Sequence, residues 1–153
     1  MADKKNFRRM YQVLDTWIDI SASPQTVWKA LVDFPAWVRW NPFIPSVQGN
    51  PQVGGRLCIK VVSPGLKPMV FKPEIFEVKL NERLVWGGSF LWFIYRGDHA
   101  FLLEPRPGGI TRFRQIERFR GPMVLLMGSM IKKTEAGYHT MNSAFKRYVE
   151  DND

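Results

Sequence analysis

Three polar side chains, His99, Gln115 and Glu117, have types and positions that could do chemistry together. They fall in two alternating segments, 98–104 and 109–119, which a turn rich in Pro and Gly joins as in a β-hairpin. Residues two apart in a strand share a face. The face of these three also carries four apolar side chains: Phe101, Leu103, Phe113 and Phe119. The opposite face carries arginines that suit solvent, so the sequence predicts that the three polar groups point into an apolar interior.

A histidine beside a carboxylate is the one pair in this chain with the composition for acid-base work. The ordinary pKa of an imidazole is about 6.5, and we expect Glu117 to orient His99 and to favour its charged form. The alternative is a structural hydrogen bond in a half-polar cavity, because burying such groups without partners costs several kcal/mol. Gln115 is a suitable partner under either interpretation.

The C-terminal segment 121–150 has the pattern of one long helix. Four of its residues, Met130, Thr134, Tyr138 and Met141, recur at steps of three or four and share a face. A long helix in water draws its stability from what it packs against, and the strands before it predict a curved sheet as its partner. The methionines and the glycines at positions 128 and 137 leave room for something other than side chains, which predicts a ligand cavity.

The elements that precede the final hairpin begin with a strand and two short helices. Alternation over 13–20 predicts the strand, and Ser23 followed by Pro24 predicts a capped helix over about 24–32. Phe34-Pro35 ends that helix, and a second one runs through Trp40. The chain is then almost all strand to residue 120, with segments at 47–51, 57–62, 69–80 and 84–88. Segment 90–95 is either a strand or a loop that covers a pocket.

Aromatic residues are frequent, and we expect some of them at the mouth of the cavity. Trp40, Asn41 and Trp86 are predicted there, together with Phe90 and Trp92. The alternative for the tryptophans is core packing, and the alternative for Asn41 is a cap on the turn before Pro42.

Segment 122–131 is apolar nearly all round and lies between Arg118, Arg120 and the pair Lys132-Lys133. It fits a gate over the cavity, a contact with a membrane surface, a dimer interface, or burial against 90–95. The chain is accordingly expected to be a monomer or a homodimer.

The composition excludes several classes of function. One Cys and two His among 153 residues build neither an internal disulfide nor a metal cluster, and no motif predicts a cofactor. The net charge of +8 allows loose affinity for nucleic acid, but the stripe of Arg112, Arg114 and Arg118 is short and lacks stacking aromatics, so no nucleic-acid partner is expected. Without a signal-like segment or an apolar run of about 20 residues, we expect a cytoplasmic protein with a single domain over 13–150 after an N-terminal extension over 1–12.

Several short segments, taken in their order and spacing, resemble a known superfamily. They are Ile18-Asp19-Ile20-Ser21-Ala22-Ser23-Pro24, Val27-Trp28, Leu31-Val32-Asp33-Phe34, Trp37, Trp40-Asn41-Pro42-Phe43-Ile44, Gly54-Gly55, Leu84-Val85-Trp86-Gly87-Gly88, His99-Ala100-Phe101, Gly109-Ile110-Thr111, Gln115-Ile116-Glu117 and Gly121. Over about 14–150 the chain resembles the START-like superfamily, the helix-grip fold also called SRPBCC. It is most similar there to the small bacterial proteins described as polyketide cyclase/dehydrase-like.

The resemblance implies an α+β fold in which a curved antiparallel sheet of about seven strands wraps round the long C-terminal helix, with two short helices after the first strand. It also implies a hydrophobic cavity between sheet and helix, but no single reaction, because members range from lipid carriers to cyclases. Binding of a hydrophobic small molecule or lipid is the first hypothesis, since no nucleophile motif is present. The alternative is a cyclase or dehydratase acting on a polyketide-like or aromatic substrate with His99 and Glu117 as acid and base. The predicted ligand contacts are Trp40, Asn41, Trp86, His99, Phe101, Phe113, Gln115, Glu117, Met130, Thr134, Tyr138 and Met141.

Overall fold

The computed structural model of the chain describes residues 9–153. Of the predicted N-terminal extension, residues 1–8 lie outside the described residues. The first strand, β1 (Tyr11–Ile20), begins inside the predicted extension and alternates as the sequence predicts. No helix in the described part of the chain is long and apolar enough to cross a membrane.

Two short helices follow β1. Helix α1 (Pro24–Val32) has the predicted bounds, and the Ser23 hydroxyl oxygen caps it by accepting a hydrogen bond from the backbone N–H of Thr26 at 3.2 Å. A 3₁₀ turn (Phe34–Ala36) leads into helix α2 (Trp37–Trp40). The indole N–H of Trp37 donates to the carbonyl of Leu31 at 2.9 Å and ties the two helices together.

The strands form one curved, antiparallel surface made of two sheets. Their bounds are β2 Ser46–Gln48, β3 Cys58–Val61, β4 Met69–Phe71, β5 Glu74–Lys79, β6 Arg83–Phe90, β7 Tyr95–Arg106 and β8 Ile110–Arg120. The five-stranded sheet has the order β1-β8-β7-β6-β5, and the three-stranded sheet has the order β2-β3-β4. This is the predicted helix-grip plan.

The predicted strand over 69–80 is divided into β4 and β5. Pro73 lies between them and has no N–H to donate, so the ladder cannot continue through it. The sheets still meet at this point, because Arg56 forms an isolated bridge with Glu74 and the N–H of Leu57 donates to the carbonyl of Pro73 at 2.8 Å. Counting β4 and β5 as one bent strand recovers the predicted number of seven.

The final hairpin, β7 with β8, is the longest paired ladder of the five-stranded sheet. In its register His99 on β7 is opposite Glu117 on β8, and Phe101 is opposite Gln115. On the other side of β8, Gln115 is opposite Thr16 of β1. These pairings place the polar residues of three neighbouring strands on one inward face.

The segment before the last helix differs from the prediction. Gly121 has a φ of +113°, a region that favours glycine, and it ends the extended chain sharply. Pro122–Leu126 form a 3₁₀ helix, and the long helix, α4 (Gly128–Asp151), begins at residue 128 instead of 121. Segment 90–95 is neither a strand nor an open loop, because Leu91–Ile94 form a short helix, α3, after the end of β6.

Helix α4 lies across the concave face of the sheet and packs mainly on β1. Met141 and Phe145 are fully buried, and the ring of Phe145 is 4.8 Å from that of Phe113 on β8. A Cβ at Gly137 would collide with the ring of Phe43, so glycine allows the chain before β2 to reach the helix backbone. The core therefore fills the C-terminal half of the helix interface.

Candidate functional site

A cavity of about 450 Å³ remains between the N-terminal half of α4, the inner face of the five-stranded sheet and the three-stranded sheet. Its walls are mainly apolar and include Phe43, Ile59, Val61, Phe119, Met127 and Met130. Small-molecule sites commonly have volumes of roughly 300–1,000 Å³, mostly apolar walls and a few polar groups. The size and lining fall within that range.

Three side chains from three elements form the polar floor of the cavity. The hydroxyl of Tyr138 (α4) makes a short hydrogen bond with Oε2 of Glu117 (β8) and lies 3.3 Å from Nδ1 of His99 (β7). Nδ1 of His99 is 3.8 Å from the same carboxyl oxygen. His99 is buried, whereas the Glu117 side chain keeps 15% of its surface exposed. Glu117 is therefore the floor residue with the most surface available to a ligand.

Behind the floor, a line of hydrogen bonds continues through the core to β1. Nε2 of His99 is 3.0 Å from Oε1 of Gln115, whose Nε2 donates to Oδ1 of Asn142 at 2.6 Å. The Nδ2 of Asn142 donates to Oγ1 of Thr16 at 3.2 Å. All four residues are buried. We call the six residues Glu117, Tyr138, His99, Gln115, Asn142 and Thr16 the polar chain.

The polar chain determines which nitrogen of His99 carries the proton. Because the amide nitrogen of Gln115 donates to Asn142, its oxygen faces His99 and accepts the proton of Nε2. Nδ1 is then an acceptor directed at the Tyr138 hydroxyl. This tautomer leaves every inner member of the chain with a partner, as buried polar groups require.

Burial shifts both titratable groups of the floor towards their neutral forms. It lowers the pKa of His99 to about 3, although the hydrogen bond that His99 donates to Gln115 opposes that shift. It raises the pKa of Glu117 to about 8, and the negative charge of Asp98 adds to the increase. The expectation that Glu117 would favour the charged form of His99 is therefore wrong, because burial disfavours the imidazolium and also keeps Glu117 protonated at neutral pH.

Half of the predicted ligand contacts line the cavity. They are Trp86, His99, Glu117, Met130, Thr134 and Tyr138. Four others, Phe101, Phe113, Gln115 and Met141, are fully buried in the core behind the cavity and do not line it. These four can act on a ligand only through the residues in front of them.

Trp40 and Asn41 lie away from the cavity. The ring of Trp40 packs 4.7 Å from that of Phe145 and stacks on Tyr148. Trp40 is therefore a core residue, which was the alternative interpretation of the tryptophans. Oδ1 of Asn41 accepts hydrogen bonds from the backbone N–H of Phe43 at 3.0 Å and of Ile44 at 2.8 Å. Asn41 thus caps the turn, which was the alternative interpretation of this residue.

The expected contribution of the glycines in the last helix was also wrong. The ring of Phe43 occupies the space beside Gly137, and Gly128 does not line the cavity. The room for a ligand comes instead from the separation between α4 and the short strands β3 and β4. Of the two aromatic residues expected at the mouth beside Trp86, Phe90 lines the cavity and Trp92 points to solvent.

Asn142 and Tyr95 are site residues that the sequence analysis missed. Asn142 is four positions after Tyr138 and therefore lies on the same helix face. The helix stripe predicted from the sequence is defined mainly by apolar residues and does not include it. Tyr95 follows α3 and lines the cavity, and burial raises the pKa of its hydroxyl above the ordinary value. The position of Tyr95 in the cavity wall depends on α3, which turns the chain from β6 into β7.

The arginine stripe on the outer face of the hairpin is largely neutralised by acidic residues of β1. Arg112 donates to both carboxyl oxygens of Asp19, at 2.8 and 3.0 Å, and Arg114 donates to both oxygens of Asp15. The guanidinium of Arg112 also lies 3.7 Å from the centre of the Trp17 ring. Within residues 9–153 no group of three His, Cys, Asp or Glu side chains could hold a metal ion.

A long helix gripped by a curved sheet, with an apolar cavity between them, defines the helix-grip class of cavity proteins. The chain belongs to the family described as "Polyketide cyclase / dehydrase and lipid transport", which matches residues 12–150. This result agrees with the resemblance drawn from the sequence. No curated protein sequence matches the chain.

Solved structures with the same fold share little sequence with this chain. The ZhuI aromatase/cyclase from Streptomyces sp. R1128 aligns with a TM-score of 0.73 and 11% identity over 92% of this chain and 94% of that chain. Norcoclaurine synthase from Thalictrum flavum, in complex with dopamine and hydroxybenzaldehyde, aligns with a TM-score of 0.68 and 16% identity over 100% and 95%. At these identities the likeness concerns the fold alone.

Proposed function

We propose that this protein binds a hydrophobic small molecule or lipid in the cavity, with its polar group against Glu117. The observation that carries the proposal is the contrast between apolar walls and a floor on which Glu117 alone keeps appreciable exposed surface. Desolvation of the walls would supply affinity at roughly 25 cal/mol per Å² of buried apolar surface. The family description, which includes lipid transport, is consistent with such a ligand.

The floor favours a ligand whose polar group is neutral. A protonated Glu117 donates its one proton to Tyr138 and keeps its other carboxyl oxygen as an acceptor, which suits a ligand hydroxyl group. An anionic group would lie near Asp98, whose charge already raises the pKa of Glu117. The other predicted ligand contacts in the cavity stay predictions: Trp86, His99, Met130, Thr134 and Tyr138. The cytoplasmic location also stays a prediction.

Gly88 offers a direct test of the cavity. It lines the cavity on the same strand face as Trp86, and a Cβ there would meet nothing within 4 Å, so Gly88→Leu would extend into open space. We expect binding of a fluorescent fatty alcohol, whose polar group is a neutral hydroxyl, to fall at least tenfold in Gly88→Leu. Native mass spectrometry of the purified wild-type protein should reveal any ligand that it already carries.

Gly128→Leu is the matched control, because a Cβ at Gly128 also meets nothing within 4 Å but the residue does not line the cavity. It should bind the fatty alcohol like the wild type. Equal binding by Gly88→Leu and the wild type, or no binding of fatty alcohols or polyphenols by the wild type, would refute the proposal.

The second candidate function is a cyclase or dehydratase, favoured by a carboxyl group that is protonated at neutral pH and faces the cavity beside a neutral imidazole. In this mechanism Glu117 would donate a proton to a carbonyl or hydroxyl oxygen of an aromatic or polyketide-like substrate, and His99, through Tyr138, would accept one. A general acid works best when its pKa is near the working pH, which suits Glu117 better than His99.

Substitutions at the floor separate binding from catalysis. Under the enzyme hypothesis Glu117→Gln and His99→Ala abolish turnover of a substrate and change its dissociation constant less than about threefold. An equal loss of binding and turnover in His99→Ala would mark His99 as a binding residue. Turnover that persists in Glu117→Gln would remove Glu117 from the mechanism.

A further inference from the structure

Five large apolar side chains are exposed at one place on the surface. They are Leu91, Trp92 and Phe93 of α3 and Leu125 and Leu126 of the 3₁₀ helix, and we call them the apolar rim. Trp92 is 84% exposed and Leu126 is 89% exposed, which is unusual for side chains of this size. Leu91 has a φ of +37°, a strained conformation for a residue with a branched side chain.

The two halves of the apolar rim form one continuous surface. Gly121 immediately precedes the 3₁₀ helix, and a Cβ on it would collide with the carbonyl of Ile94, the last residue of α3. The two short helices are also in contact with each other. Contiguous exposed apolar surface of this kind marks an interaction site more often than chance exposure.

The apolar rim lies beside the mouth of the cavity. Phe90 and Tyr95, which flank α3, line the cavity, and so do Met123 and Met127, which flank Leu125 and Leu126. None of the five rim residues lines the cavity itself. A partner that covers the rim would therefore cover the entrance as well.

The segments that provide most of the cavity lining are rich in basic residues. Segments 54–73, 84–97 and 118–134, which provide most of the cavity lining, contain no Asp or Glu. They contain nine basic residues: Arg56, Lys60, Lys67, Lys72, Arg96, Arg118, Arg120, Lys132 and Lys133. All 14 acidic residues of the chain lie outside these segments. Lys72 lines the cavity, and Lys132 and Lys133 lie in the first turns of α4 beside it. An exposed apolar surface next to such lysines is complementary to an anionic lipid bilayer, where each Lys or Arg near the surface contributes about 1 kcal/mol.

We propose that the apolar rim docks the protein on an anionic membrane surface, with the cavity mouth facing the bilayer. Trp92 would lie at the interface, where an indole ring has both an apolar body and a polar N–H. Lys72, Lys132 and Lys133 would contact lipid headgroups, and a lipid could enter the cavity without crossing water. The inference rests on the proposed binding function, because it gives the cavity its source of ligand.

Co-sedimentation with vesicles tests the docking surface. We expect at least tenfold tighter binding to vesicles of phosphatidylcholine with about one third phosphatidylglycerol than to phosphatidylcholine alone, with the difference reduced by salt. Trp92→Ser/Leu126→Ser should weaken binding to the anionic vesicles at least tenfold. Lys132→Gln/Lys133→Gln should weaken it by a smaller factor, with the apolar rim intact.

Trp17→Ser/Leu80→Ser is the matched control, because it removes one exposed Trp, on β1, and one exposed Leu, in the turn after β5. This variant should bind vesicles like the wild type. Binding of the fatty alcohol without vesicles should be unchanged in Trp92→Ser/Leu126→Ser, which separates the docking surface from the cavity.

Three results would overturn the proposal while leaving the cavity proposal intact. They are a wild type that binds the fatty alcohol but no anionic vesicles, equal binding to neutral and anionic vesicles, and unchanged vesicle binding in Trp92→Ser/Leu126→Ser. A dimer in analytical ultracentrifugation that this variant abolishes, without vesicle binding by the wild type, would assign the apolar rim to a second copy of the chain instead.

Discussion

The hydroxyl of Tyr138 is hydrogen-bonded to Glu117 and also lies 3.3 Å from Nδ1 of His99. A hydroxyl has one proton, so it cannot donate to both. When Glu117 is ionised, Tyr138 donates to the carboxylate and Nδ1 loses its donor. When Glu117 is protonated, it donates to the Tyr138 oxygen, and the Tyr138 proton is free for Nδ1. The protonation state of Glu117 thus determines whether the buried imidazole is satisfied.

The first prediction concerns stability against pH. The pKa of Glu117 rises from its ordinary 4.5 to about 8 in the native state, so the native state holds one more proton than the unfolded chain between these values. The free energy of unfolding then falls as pH rises, by at most about 1.4 kcal/mol per pH unit. The pKa of His99 falls from 6.5 to about 3, which gives the opposite slope below pH 6.5. Glu117 therefore dominates between pH 6.5 and 8.

Urea unfolding of the wild type should consequently show lower stability at pH 8 than at pH 6.5. Glu117→Gln should remove most of that decline, because the amide resembles the protonated carboxyl group and does not titrate. Glu135→Gln, an exposed change on α4, should leave the decline in place. A decline of the same size in the wild type and in Glu117→Gln would contradict the assigned protonation state.

A second prediction tests the inner half of the polar chain. Asn142→Leu removes the acceptor for Gln115 and the donor to Thr16, and leaves both buried groups without partners. Each such loss costs about 1–3 kcal/mol, so chemical denaturation should show a total loss of at least about 2 kcal/mol. Ser143→Ala, at the next and exposed position of the same helix, should change stability by less than about 0.5 kcal/mol. Wild-type stability in Asn142→Leu would mean that the hydrogen bonds contribute nothing net.

A third prediction concerns the contact between Gly137 and Phe43. Alanine is a better helix former than glycine by about 1 kcal/mol, yet Gly137→Ala should destabilise the protein by about 1–3 kcal/mol, because its Cβ would overlap the Phe43 ring. Gly128→Ala, with open space around its Cβ, should not destabilise it.

Phe43→Leu combined with Gly137→Ala should be less destabilised than the sum of the single changes, since the smaller side chain relieves the overlap. Thermal unfolding of the four proteins in this double-mutant cycle measures the coupling. Additive losses would show that Gly137 is required for another reason.

A fourth prediction addresses the arginine stripe. Because Arg112 and Arg114 are paired with Asp19 and Asp15, Arg112→Gln/Arg114→Gln should change affinity for single-stranded DNA little, whereas Lys132→Gln/Lys133→Gln should weaken any salt-sensitive binding more. Fluorescence anisotropy at two salt concentrations measures both. If the arginine variant instead loses a steep salt dependence, the stripe is a nucleic-acid surface after all.

The orientation of the hairpin was predictable because strand geometry is local. A period of two, with arginines on one face and phenylalanines on the other, was enough to place His99, Gln115 and Glu117 inward. The start of α1 was predictable for a similar reason, since a serine before a proline gives a cap whose geometry depends on only a few residues.

The division of inward residues between core and cavity could not be predicted in this way. Phe101 and Gln115 lie under the middle of α4, where the helix touches the sheet, while Glu117 lies two residues further along the strand, where helix and sheet have separated. That difference depends on how α4 crosses the sheet, which no local pattern records. The same applies to Gly137, whose free space is filled by a residue nearly 100 positions earlier in the chain.

The walls of the cavity also differ greatly in backbone support. One wall is the hairpin of β7 and β8, with 12 and 11 residues, and the other is formed by β2, β3 and β4, with three, four and three. Short strands beside a proline break can open without unfolding the rest of the molecule, since little cooperative structure is lost. Amide protons of β3 should therefore exchange with solvent deuterium through local openings, while those of Phe101 and Phe113 exchange through global unfolding. The cavity thus combines a rigid floor with a wall that can open locally.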